Sequence, residues 1–522
     1  MTSVGHFSLT SQTDDNPSVS TFFMSLVGEK PGFTVQDFEK LWQDREMAER
    51  HPRFHFTVSK DRPGHFESET VNDHVSETYF PQVYRKDIQS RIEALQLDPV
   101  DVHEKTWEVM IAPSGPLGVS GAINRAALQL EDDNGSDVDH NMVESLVFFR
   151  GHHALGDGVS LFTAIMDLCD EAEEFRDLIK VELKKRFGRK SNHSISTKLT
   201  RALKRMLQFW LGCLKSLWYQ TKLYIGTLIE SNPFQMLQKW ALMIEEFEES
   251  TQSKRTISFS MAAPVDEVKW VARTLLGKSA TVNDVFVSCV SAAIVRQLEE
   301  HRRHYAVLDG IADGMGVGDK KARKNRQQHL LKQMKHMNIV MPVHLYGGIM
   351  LPGQSMGNRI GAMVARVPGE AAKNSVDRLS QVHDTLYELK QTPTPLLSYL
   401  LVRLISSTSG YLLPDRWTQY LFSKANANAT AVVSNVRGPP HPIHVQGRMV
   451  SSIHGFVPLP PGIPIGLVVS SYAGSVKLSL SAEFWAVPNG DQFLIWVLEE
   501  YQSLLRQALL KDKEKTLTSR GS

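Results

Sequence analysis

The segment ESLVFFRGHHALGDGVSLF, residues 144–162, decides how the chain is to be read. Glu144 to Phe149 has the length and apolar content of a buried strand, and Val159 to Leu178 carries apolar residues at helical spacing. Between them Gly151, Gly156 and Gly158 bracket His152, His153 and Asp157. The reading is a strand, a glycine-rich turn, then a helix. Glycine permits such a tight turn and the close approach of a ligand. The imidazole of His153, with an ordinary pKa of about 6.5, is largely neutral at physiological pH and suited to accept a proton. Asp157, four residues on, either braces the turn through a local hydrogen bond or an arginine partner, or orients the imidazole. We favour the brace, because a short glycine-flanked turn needs a fixed point. The same spacing fits two surface histidines ahead of an N-cap aspartate, and this stretch alone does not separate the two.

Working outward, Phe33 to Glu49 has helical spacing, and Lys180 to Arg205 is basic with a serine-containing break at Ser191 to Ser196. Leu203, Leu207, Trp210, Leu214 and Trp218 then recur at helical spacing, with Arg201, Lys204, Arg205 and Lys215 largely opposite. Either this stripe lies on a membrane surface with the cations at anionic headgroups, or it packs on protein in a helix that crosses between lobes. Strands are expected at Thr256 to Met261, Asn338 to Leu345, Thr430 to Ser434, Ile465 to Ser471 and Val476 to Leu480. Helices are expected at Val282 to Leu298 and Gln492 to Ala508, and a mobile polar loop at Gly310 to Gln328. Strands and helices intermingle in both halves, which points to an α/β or α+β fold. The division we expect is a lobe at 1–195, a helical basic connection at 196–254, and a second lobe at 255–522.

At 522 residues the chain exceeds the roughly 250–300 at which one core stops growing. A net charge of +1 argues against bulk nucleic-acid binding. Cys169, Cys213 and Cys289 show no metal-ligand spacing and fit a reducing, cytosol-facing compartment. The N-terminus has no secretory pattern, and no apolar run is long enough to span a bilayer. Lys320, Lys321, Arg323, Lys324 and Arg326 either contact CoA phosphates or an anionic surface or are a solvated charge run, and we favour the latter. His336 and His344 have no acidic partner at ligand spacing and read as structural, so no metal is expected.

HHALGDG fits the HHxxxDG motif of the CoA-dependent acyltransferase superfamily. Three further segments make the chain resemble the bifunctional wax ester synthase/diacylglycerol acyltransferase family. They are Thr281-Val282-Asn283-Asp284-Val285, Gly357-Asn358-Arg359-Ile360-Gly361 and Ser434-Asn435-Val436-Arg437-Gly438-Pro439, with Ser470-Ser471-Tyr472 and Gly474 in the late strand pair. The resemblance covers about His51 to Arg506.

The resemblance implies an α/β, two-lobed, chloramphenicol-acetyltransferase-like sandwich, with a tunnel between lobes through which acyl-CoA and acceptor reach His153. It implies transfer of a fatty acyl group from acyl-CoA, a substrate and not a cofactor, to a long-chain alcohol or a diacylglycerol. By it, His153 is the base, His152 and Gly158 shape the channel, and Asp157 is chiefly structural. Asn283 would stand near the reacting centre as an oxyanion donor, and Gly158, Asn358, Ser434 and Asn435 would line the CoA side. The setting implied is peripheral, at the cytosol-facing endoplasmic reticulum membrane or a lipid droplet. There are two departures: Lys105-Thr106 stands where the family has Pro-Leu before Trp107-Glu108, a segment that the resemblance ties to acceptor or acyl-chain preference, and Arg437 replaces a proline. Rival readings are an acyltransferase with another acceptor, such as a peptide-synthetase condensation domain, and a lipid-binding scaffold that kept the fold.

Overall fold

The computed structural model describes residues 1–13, 16–62, 64–69, 73–79, 85–115, 142–187, 195–229, 232–243, 255–314, 320–346, 356–405, 417, 420, 423–424 and 426–520. In chain order the first half comprises α1 (Ser3–Ser11), β1 (Val19–Glu29), α2 (Val35–Asp44), α3 (Met47–Arg50), β2 (Phe56–Val58), β3 (Phe66–Ser68) and β4 (Val75–Glu77). There follow α4 (Arg85–Leu97), β5 (Trp107–Gly115), β6 (Met142–His152), α5 (Gly158–Met166), α6 (Ala172–Phe187), α7 (Ile195–Ile229) and α8 (Pro233–Met243). The second half begins with β7 (Arg255–Pro264), α9 (Val265–Leu276), α10 (Val282–Gly314), α11 (Lys320–Gln333), β8 (His336–His344), β9 (Ile360–Pro368), α12 (Ser375–Lys390) and α13 (Thr394–Ile405). It closes with β10 (Ala431–Arg437), β11 (His444–Val445), β12 (Arg448–Phe456), β13 (Ile465–Tyr472), β14 (Ser475–Glu483) and α14 (Gly490–Arg520).

Two six-stranded sheets organise these elements. The first runs β11-β12-β1-β6-β5-β4 and the second β7-β14-β13-β10-β8-β9. β11 and β12, drawn from the C-terminal stretch, complete the N-terminal sheet: β12 pairs with β1, Phe23 opposite His454, and β11 pairs with β12. Alternation along each strand sends one set of side chains outward and the other inward. The outer face of the first sheet (Met24, Leu26, Val147, Phe149) packs with Phe38 of α2 and Leu161 and Ile165 of α5. Its inner face (Phe23, Phe148, Phe456) meets Ile257 and Phe259 of β7, and the Phe23 and Phe259 rings pack edge-on at 5.0 Å. Val433, Leu467, Val469, Leu478 and Leu480 of the second sheet pack outward on Val285, Phe286, Phe493 and Val497 of α10 and α14. The result is a mixed α/β, two-lobed sandwich whose sheets face one another.

Local chemistry explains several boundaries. Thr34 and Asp37 form a reciprocal capping box at the start of α2. The expected helix at Phe33 to Glu49 is broken by the left-handed Glu46, φ 50°. The single helix expected at Val159 to Leu178 is divided by turn residues into α5 and α6. Gly310 to Gln328 is not a loop where it is described: α10 runs on to Gly314 and α11 starts at Lys320. Among the described residues, no helix is long and apolar enough to cross a membrane.

Candidate active site

β6, which lies between β1 and β5, ends at His152 and carries the chain into the turn. The His152 N–H donates to Thr106 O at 2.8 Å, and the His153 N–H donates to Ser18 O at 2.8 Å. His152 is fully buried, and its bonds fix its tautomer. Nδ1 accepts the Ala154 N–H at 3.1 Å, so the proton resides on Nε2, which donates to Gln12 Oε1 at 2.8 Å. Burial, with a smaller effect of His153, pulls its pKa down to about 3, and the ring stays neutral.

His153 keeps part of its surface accessible. Its Nδ1 stands 3.4 Å from Ser8 Oγ on α1, and that hydroxyl donates its own proton to Val4 O at 3.0 Å. The serine oxygen is therefore left to accept from Nδ1–H, which puts the lone pair on Nε2. Burial lowers the His153 pKa; the charge of Asp157 and a hydrogen bond to its own backbone oppose that shift. The net direction is towards the neutral, proton-accepting ring.

Asp157 is buried and caps α5. One carboxylate oxygen accepts the Ser160 N–H at 2.9 Å and the other the Arg359 N–H at 2.7 Å. Both oxygens are thus engaged by backbone, and neither bonds the His153 imidazole. Of the two roles open in the sequence, these are the bonds of a brace. Arg53 lies alongside, donating to Leu155 O at 3.1 Å. Burial lowers its pKa to about 10, Arg359 adds to the shift, and Asp157 opposes it. His344, read from sequence as merely structural, comes within 3.9 Å of Asp157, and burial lowers its pKa.

The other expected positions divide. Gly158 is exposed at the start of α5, and a Cβ there would meet nothing within 4 Å, so the space beside the turn is open. Asn358 is fully buried and joins the turn directly: its amide donates to His153 O at 2.7 Å. That bond makes it a support for the base, where the resemblance placed it on the CoA side. Ser434 is half-buried and Asn435 exposed on β10, and the turn after them presses Gly438 against Phe162 of α5 and the backbone of Ser471. Asn283 is not brought to His153. Its amide meets Met341 Sδ at 3.7 Å on the α10 side of β8, whereas His344, three residues along, faces Asp157 from the other side. Its carbonyl oxygen is buried without a hydrogen-bond partner among the described residues.

Ser8, Gln12 and Arg53 gave no signal in the sequence, and His344 reads there only as structural. They lie far along the chain from the motif, and only the packing of α1, β8 and the short helix Pro52–His55 around the turn makes them neighbours. Trp107 is buried and stacked on Trp42 at 4.7 Å and His74 at 4.3 Å, while Glu108 pairs with Lys105 at 2.7 Å and with Arg150. That segment is therefore a wall of the N-terminal core.

Residues 356–504 match the model of the WS/DGAT C-terminal domain, a stretch that carries Asn358, Ser434 and Asn435. Wax ester synthase/diacylglycerol acyltransferase 5 of Arabidopsis thaliana is 20% identical over 542 aligned positions, covering 96% of this chain and 92% of that protein. Acyltransferase 11 of the same set in Arabidopsis thaliana is 22% identical, covering 83% of this chain and 78% of its own. Among solved structures, the wax ester synthase/diacylglycerol acyltransferase of Marinobacter aquaeolei VT8 shares the fold with a TM-score of 0.53 at 14% identity, over 97% of this chain and 98% of that one. Trichothecene 15-O-acetyltransferase of Fusarium sporotrichioides does so with a TM-score of 0.56 at 12% identity, over 97% and 94% of the two chains. The ordered motifs, the end-to-end likeness and the matched C-terminal domain agree: the chain is similar along its length to wax ester synthase/diacylglycerol acyltransferase enzymes, and residues 356–504 match that family's C-terminal domain.

Proposed function

We propose that this acyltransferase moves a fatty acyl group from acyl-CoA to the hydroxyl of a long-chain alcohol or a diacylglycerol, with His153 as general base. The observation that carries the reading is the built turn. His153 is held neutral by burial, its Nδ1 is turned to Ser8, and its backbone is fixed by Asn358 and Ser18. Nε2 takes the acceptor proton as the acceptor oxygen attacks the thioester carbonyl. The tetrahedral intermediate collapses, the carbon–sulfur bond breaks, and the imidazolium returns its proton to the CoA thiolate. His152, Asp157 and Asn358 hold the base in place, and Gly158 leaves room for the acyl donor. A covalent acyl-enzyme is not required. Burial raises the thiol pKa of Cys169 and Cys289, so neither is poised as a thiolate nucleophile. Acyl-CoA enters as substrate without a further cofactor, and the enzyme works from the cytosol-facing side of an endoplasmic reticulum membrane or a lipid droplet. Ser434 and Asn435, on the strand beside α5, are assigned to the CoA side.

The test is CoA release from palmitoyl-CoA with hexadecanol and with dioleoylglycerol, for wild type and His153→Ala. Loss of a general base lowers the rate by about 10²–10⁴-fold. Acceptor-dependent release that falls by that factor is the expected result, and the faster acceptor names the substrate. A variant as fast as wild type would overturn the assignment.

A further inference from the structure

α7 is seated on the protein by its small and polar edge. Gly212 packs on Pro393, Ser216 Oγ bonds Thr394 Oγ1 at 2.7 Å, and Tyr219 OH accepts the Arg366 N–H at 3.1 Å. At about 100° per residue these positions fall opposite Leu207, Trp210, Leu214 and Trp218. Those four side chains are 60%, 60%, 62% and 73% exposed. A helix that packs its apolar stripe on a core has the reverse orientation. α13, which abuts α7 at Thr394, leaves Leu400 and Leu404 45% and 59% exposed. Lys204 and Lys215, expected opposite the stripe, instead fall with Lys222 along one of its borders, all three exposed and within about 20° of one another.

The place where the two helices meet adjoins the segment that holds the catalytic turn. The Ala362 N–H donates to Ser398 Oγ at 2.7 Å, and a Cβ on Gly361 would run into the backbone of Pro395. Just before Gly361, Arg359 and Asn358 hold Asp157 and His153. α13 also packs against α1, which carries Ser8.

We infer that α7 and α13 form a docking face for a phospholipid surface with anionic headgroups, which sets the His153 turn at the lipid boundary. Trp210, Trp218 and the leucines enter the interface, and the lysine border meets the headgroups. The inference rests on the lipid-acceptor reading above, since a long-chain acceptor dissolves in such a surface and not in water. A second copy of the chain is the weaker occupant, because an antiparallel two-fold pairing of this face sets the same lysine border against itself.

The test is flotation of the full chain with vesicles of phosphatidylcholine alone and with added phosphatidylserine. Wild type is expected to float, more with phosphatidylserine. The triple variant Lys204→Gln, Lys215→Gln, Lys222→Gln should bind anionic vesicles about a hundredfold more weakly, and Trp210→Ser, Leu214→Ser, Trp218→Ser should stay at the bottom with both. CoA release with a short, water-soluble alcohol and no vesicles should match wild type in both variants, showing that they fold. Wild type that fails to float overturns the inference. So does a wild-type dimer that the Trp and Leu changes convert to monomer without any flotation, which gives the face to a second copy. Flotation without use of hexadecanol or dioleoylglycerol upholds the docking face and overturns the acceptor reading instead.

Discussion

Replacing Asp157 by alanine separates a brace from a catalytic partner. The carboxylate accepts the N–H groups of Ser160 at 2.9 Å and Arg359 at 2.7 Å. A hydrogen bond to a charged group contributes about 1.5–3 kcal/mol, so losing both costs about 3–6 kcal/mol. Arg53 also loses the one neighbour whose charge opposes its burial, which adds to the cost. The entropy of unfolding is about 2.1 cal/mol/K per residue. The melting point should therefore fall by about 3–5 °C if all 522 residues unfold together. It should fall by about 7–14 °C if the cooperative unit is a lobe of about 200 residues. Asp157→Asn keeps an oxygen for the Ser160 cap but turns an amide donor or an empty edge to Arg359, so about half the loss is expected. Calorimetry and CoA release on the same samples decide the matter. A brace predicts that activity and stability fall together, with the asparagine variant between alanine and wild type. A loss of activity of a thousandfold with an unchanged melting point in Asp157→Ala would refute the reasoning and make the aspartate an orienter of the imidazole.

Two further outcomes follow from the same turn. Because burial lowers the His153 pKa, its free-base form prevails at and above the ordinary value near 6.5. The kcat/KM profile should accordingly be flat at neutral pH and fall only as pH drops through a midpoint below 6.5; a midpoint above that value contradicts the assignment. Gln12→Ala leaves the buried Nε2–H of His152 without its acceptor, a loss of about 1–3 kcal/mol measurable by denaturant titration. It should also slow CoA release, since His152 carries the backbone into His153; full stability and rate together would show that the Gln12 contact holds nothing.

The strand-turn-helix at residues 144–162 was legible because each part has its own local signal: an apolar run, a glycine cluster, then helical spacing. The same is true of β7, β13, β14 and α14, whose patterns lie within one element. Asp157 could be read as a brace because its cap is local, but Arg359, its other partner, is invisible without the fold. The exposed stripe of α7 illustrates a different limit. Periodicity locates Leu207, Trp210, Leu214 and Trp218 on one side of a helix, yet whether that side faces protein or solvent depends on where Gly212 and Ser216 dock. Asn283 and Asp284 start α10 as expected, and only the fold shows that the Asn283 amide meets Met341 on the α10 side of β8.

The exchange of β11 and β12 into the first sheet has a bearing on how the molecule can be made. β1 is near the start of the chain, but one of its two neighbours, β12, ends at Phe456. During synthesis the Phe23 edge of β1 must wait for most of the polypeptide before it is paired. A fragment stopped at the basic helix would present that edge, with Phe23 unshielded by His454 and Phe456, as a site for aggregation. The two lobes are thus separable on the map of the core but not on the ribosome.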